Sequence, residues 1–156
     1  MNLTAVTSLV ALGFALLPAT AVAAPVPNVA FTGTITVPVE PGGSHYITNT
    51  GTWTASGFVS GTFDVSEKTW FGSGTVHDVS TLTAAGGTIT VDVQGRFVSF
   101  TAVSAHVQGV WAITGGTGAY ANLSGNGDYD ATIDRSVQPR IVTESLTGVA
   151  EGGASN

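Results

Sequence analysis

The stretch Phe31-Thr32-Gly33-Thr34-Ile35-Thr36-Val37 decides the fold. Successive side chains of an extended chain point to opposite faces, so Phe31, Ile35 and Val37 share one side and Thr32, Thr34 and Thr36 the other. A period of two belongs to a half-buried strand and not to a helix. Pro38 and Pro41-Gly42-Gly43 end the strand, because proline has no N–H to give to a ladder.

The same period recurs over 45–55, 58–65, 74–82, 88–94, 96–104, 106–114, 124–134 and 141–150. About eight or nine antiparallel strands at this spacing make an all-β barrel or sandwich. Gly86-Gly87 is suited to a tight hairpin turn, which in that register sets Leu82 opposite Val91 and Ser80 opposite Val93. Gly95 interrupts an otherwise overlong run and is expected to be a bulge or corner. There is no repeat of fixed period and no low-complexity linker. The chain is expected to form a single domain over 24–156 with a frayed tail.

Residues 3–17 are almost wholly apolar, too short to span a bilayer as a helix, and lead into Ala21-Val22-Ala23-Ala24. This predicts a signal peptide over 1–23, cut after Ala23, although no Lys or Arg precedes the apolar run. The product is expected to be secreted and unanchored, with no cysteine to form a disulfide or carry a lipid. Only 9% of residues are charged and the net charge is −6. Such a surface repels phosphate backbones, so nucleic acid and anionic membranes are not expected partners.

One segment points to a family. In Trp111-Ala112-Ile113-Thr114-Gly115-Gly116-Thr117-Gly118-Ala119-Tyr120-Ala121-Asn122-Leu123-Ser124-Gly125, a strand runs into a glycine turn able to reverse sharply with positive φ. One helical turn then leads to the next strand, placing the Tyr120 ring over the barrel mouth. This resembles the hallmark of the allene oxide cyclase and dirigent superfamily: a strand, a Gly-Gly-Ser/Thr-Gly turn, an aromatic residue and a further glycine. The resemblance covers about fifteen residues. It implies an eight-stranded antiparallel barrel with an apolar cavity, a calycin-like layout, and chemistry without metal or organic cofactor. Dimers or trimers are common in that superfamily.

The residues offer few other chemical signatures. The Gly-Gly-Thr-Gly turn lacks the Lys and the helix that a phosphate loop needs. His45, His77 and His106 lie on separate strands without zinc-ligand spacing. Asn126, Asp128 and Asp130 alternate on one strand face, but Ala131 and Val137 stand where a calcium loop needs Gly and Glu, so an acidic solvated face is expected. No Gly-x-Ser-x-Gly elbow marks a hydrolase. Asn122-Leu123-Ser124 is a glycosylation pattern that matters only in a eukaryotic host.

Asp78 shares a face with Val76 and Leu82 and is an inward carboxylate with a raised pKa, to be paired by Arg96 near Gly95, unless a one-residue slip puts both outside. Trp111 fits a core anchor better than a ligand platform, while Trp53 and Trp70 could line an opening. The ligand-binding set is therefore Asp78, Arg96, Trp111, Tyr120 and Tyr129. The expected function is binding of a small apolar or amphipathic molecule. Two alternatives stand beside it: a cofactor-free cyclase or dirigent-type enzyme using Asp78 or Tyr129 as acid or base, and a structural protein with a filled barrel.

Overall fold

The computed structural model describes residues 27–38 and 46–152. The expected signal segment with its cut behind Ala23, His45 and the last residues of the tail lie outside the described residues. Eight strands follow one another: β1 (Asn28–Val37), β2 (Tyr46–Gly57), β3 (Gly61–Phe71), β4 (Thr75–Ala84), β5 (Gly87–Phe100), β6 (Ser104–Gly116), β7 (Ser124–Asp134) and β8 (Arg140–Glu151). Each pairs antiparallel with the next, and β1 pairs with β8, so the sheet closes into an eight-stranded antiparallel barrel. Closure leaves no strand edge unpaired. A short 3-10 turn (Gly118–Tyr120) lies between β6 and β7.

The alternation of the sequence becomes the inside and outside of this barrel. Phe31, Ile35 and Val37 are buried and their threonine neighbours exposed, as the opening heptapeptide requires. One end is packed solid: Phe31 meets the Trp53 ring at 6.2 Å between centroids and the Trp111 ring edge-on at 5.8 Å. Val29, Val59, Phe63, Leu82, Leu123 and Ala150 complete that half. Large aromatics of this kind supply much of the apolar burial that holds a cysteine-free chain together.

Three local expectations need correction. The β4–β5 hairpin turns at Ala85-Gly86, with Ala84 opposite Gly87, so Leu82 faces Ile89, Ser80 faces Val91 and Asp78 faces Val93. Partners move by two residues, which preserves parity and therefore the inward face. Of the two turn glycines only Gly87 has positive φ, at 136°. Gly95 is no corner: β5 runs through it, paired with Val76 and Gly109, and the irregularities fall at Thr90/Val91 and Phe97/Ser99. In the Gly-Gly-Thr-Gly segment, Gly115 and Gly116 belong to β6, and positive φ is confined to Gly118 at 60°.

Candidate functional site

The half of the barrel opposite the packed end encloses a cavity of about 330 Å³. Its mouth lies where β3 ends, β4 begins, β5 ends and β8 begins, and its walls are mostly apolar, including Val37, Ile47, Val76, Val107 and Ile133. Phenylalanine rings from β3 and β5 flank one side of the opening. Phe71 stacks on Phe97 at 6.3 Å, and Phe100 meets Phe97 edge-on at 5.6 Å. Phe100 is 61% exposed, the most exposed of the large hydrophobic side chains among the described residues.

Arg135 and Arg140 also line this cavity, two of the four basic residues in the chain. The Arg135 guanidinium lies 4.0 Å over the Phe100 ring, a cation–π contact, and donates to the Thr101 carbonyl. Among the described residues neither arginine has a carboxylate partner.

The floor is polar and acidic. Glu67 on β3, Asp78 on β4 and Glu144 on β8 each take an inward position, and all are at most 4% exposed. Around Glu67, Asn49 Nδ2 donates to Oε1 at 2.9 Å, Thr69 Oγ1 donates to the same oxygen at 2.8 Å, and Ser80 Oγ donates to Oε2 at 3.2 Å. Glu144 accepts from Tyr129 OH at 2.7 Å and from Trp53 Nε1 at 2.9 Å. Asp78 Oδ1 and Asn49 Oδ1 are buried without a partner.

Burial disfavours the charged form of each group here, and like charges reinforce the effect. Asp78 is pushed up to about 8, first by desolvation and then by the neighbouring Glu67. Glu144 is held well above the usual carboxylate range by the same two causes, against the opposing bonds from Tyr129 and Trp53. The Tyr129 phenol is raised by its own burial and by Glu144. The floor therefore carries fewer negative charges at neutral pH than its three carboxyl groups suggest.

Of the five residues singled out in the sequence, the cavity brings together two, Asp78 and Tyr129. Arg96 lies on the outer face of β5 opposite Thr75 and Gln108, one residue out of phase with the inward row, and so does not pair with Asp78. Trp111 is a core anchor in the packed half, 2% exposed, its Nε1 donating to the Thr147 carbonyl at 3.3 Å. Tyr120 folds over the barrel, but at the packed end: its ring lies 5.7 Å from that of Phe63. Trp53 forms part of the floor through Glu144, whereas Trp70 stacks on His77 at 5.3 Å.

The remaining histidines and the acidic row stay on the outside. His77 bonds Asp92, and His106 bonds Asp130, each at 2.8 Å. Asn126, Asp128 and Asp130 are all exposed. The Asp130 carboxyl is held below its usual range, chiefly by the Gln108 amide.

Asn49, Glu67, Thr69, Ser80 and Glu144 were not among the sequence candidates. Parity could have found them: Glu144 alternates with Val142 and Leu146, Asn49 with Trp53 and Ala55, and Glu67 with Phe63 and Val65. The run containing Glu67 was expected to end at Val65, whereas β3 continues to Phe71. Compared with known proteins, the chain matches no family model, no curated protein and no solved structure.

Proposed function

We propose that this chain is an exported barrel that binds one small amphipathic molecule, with its apolar body in the cavity and an acidic group at the arginine mouth. The observation that carries this reading is the division of the interior. One half is closed by Phe31, Trp53, Phe63 and Trp111, while the other holds about 330 Å³ behind a mouth flanked on one side by phenylalanine rings. That is the size and lining of a small-ligand pocket. The two arginines supply positive charge at its mouth in a chain whose net charge is −6. A partly dehydrated anion there gains charge-assisted hydrogen bonds.

The test uses 8-anilinonaphthalene-1-sulfonate, an aromatic body with one anionic group, added to protein recovered from the culture medium. Saturable enhancement of its fluorescence is expected, lost in Ala131→Trp, which fills the cavity, and weakened in an Arg135→Ala, Arg140→Ala double variant. Equal binding by all three proteins would place the probe elsewhere and remove the reading. Retention of the chain inside the cells with its first 23 residues uncut, and none in the medium, would remove its export part.

A second reading has its own support. Asp78 presents a buried carboxyl with an unpartnered oxygen beside the apolar cavity, and its pKa of about 8 suits a proton donor at neutral pH. A cofactor-free cyclase or dirigent-type enzyme, as the Gly115–Gly118 turn suggests, would use it to protonate a bound substrate. Loss of turnover with retained binding in Asp78→Asn would separate this reading from simple binding.

A further inference from the structure

Glu67, Asp78 and Glu144 each bring one oxygen within 4.8 Å of the others. They come from β3, β4 and β8, and only barrel closure joins them. The basic groups lining this cavity are Arg135 and Arg140, whose strand-end positions put them at the mouth rather than the floor. Donors surround Glu67 and Glu144, but each carboxylate oxygen has two lone pairs, so those bonds leave acceptor capacity unused.

A second observation is independent of the carboxyl groups. Asn49 is 2% exposed and is oriented by its Nδ2, which bonds Glu67 and Thr69 at 2.9 Å each. Its Oδ1 is left buried with no donor, in the lining of the same cavity. Asp78 Oδ1 is in the same condition. A buried acceptor without a donor is a net cost to the fold unless something supplies the missing positive partner. Two of them next to two more carboxyl groups describe a pocket with surplus oxygen lone pairs.

We infer that the barrel floor is a binding site for a hard, calcium-sized divalent cation, held by the carboxylates of Glu67, Asp78 and Glu144 and by Asn49 Oδ1. The donor set is all oxygen, without the sulfur or imidazole that zinc and copper favour. Calcium accepts oxygens at about 2.3–2.6 Å, so ligands on opposite sides of it stand about 4.6–5.2 Å apart, whereas magnesium needs about 4.2 Å. Carboxyl oxygens that all lie within 4.8 Å of one another can share one ion, and an irregular set of protein oxygens suits calcium's flexible coordination better than magnesium's near-ideal octahedron. Coordination positions facing the cavity remain for water or for an oxygen of a bound molecule. Because the site is built from the floor alone, it stands whether or not an organic ligand occupies the apolar part.

Trp53 donates to Glu144, which puts an indole next to the proposed ion and makes terbium(III) a direct probe. In EDTA-treated full-length protein, tryptophan-sensitised terbium emission should saturate at one ion per chain and be displaced by calcium. Glu144→Gln and Asp78→Asn should each weaken binding about tenfold or more. Asp92→Asn and Asp130→Asn, on the outer face, should leave it unchanged. Asn49→Asp, which adds a charged ligand, should tighten it, and this gain cannot arise from misfolding. The inference is overturned if the wild type gives no sensitised emission, or if the emission survives both floor substitutions undiminished.

Discussion

At the scale of single residues, Asp78 couples the fold to protons. Its carboxyl is raised from 3.8 to about 8 in the barrel, so between those values the folded chain keeps a proton that the unfolded chain releases. Stability is therefore greatest on the acid side of that window and falls as pH rises through it, with Glu144 acting in the same direction. Urea unfolding of the metal-free protein should show a midpoint that drops from pH 5 to pH 8. Asp78→Asn should flatten that slope, recovering on the order of a few kcal/mol at pH 8. A wild-type midpoint that rises with pH would contradict the buried, protonated floor.

At the scale of strands, absent side chains let neighbouring strands and rings come close. Gly109 on β6 lies between Gly95 on β5 and Tyr129 on β7. A Cβ at Gly109 would meet the Gln94 carbonyl oxygen at 2.1 Å and the Gly95 Cα at 2.6 Å, both backbone atoms that cannot move aside alone. At Gly115, on the same strand, the nearest atoms are 3.9 Å away. Gly109→Ala should thus cost about 1–3 kcal/mol by pushing β5 from β6, while Gly115→Ala should be nearly neutral in thermal unfolding followed by circular dichroism. The parity of each strand was legible in the sequence. The turn at Ala85-Gly86 was not, because two glycines in succession allow the hairpin to close at either of two positions and only the packing of Thr117 and Gly118 against Gly86 and Gly87 selects one.

For the molecule as a whole, the barrel is divided into a packed half and a hollow one, and truncations should differ accordingly. Trp111→Ala removes a ring wedged against Phe31 in the packed half and should cost about 3–5 kcal/mol. Phe97→Ala widens a cavity wall that is already partly exposed and should cost less than half as much. Equal losses in denaturant titrations would mean that the two halves are equally tight. The division also orders function: the packed end, capped by Tyr120, holds the barrel shape, and the open end is free to carry polar groups that a packed core would reject.

The sequence by itself determined the all-β class, the number of strands to within one, and which face of each strand turns inward, because side-chain alternation is a local property of an extended chain. It left Asp78 either inside or, by a one-residue slip, outside, and the actual register error of two kept the inward parity. Only the tertiary structure decided that Glu67, Asp78 and Glu144 meet, that Tyr120 caps the packed end and that Arg96 faces solvent. Those facts depend on the closure of β1 on β8 and on the height of each residue along the barrel axis. Contacts between residues far apart in the chain, such as Trp53 with Glu144 at a separation of 91 positions, follow from register summed around the whole sheet, which no single strand contains.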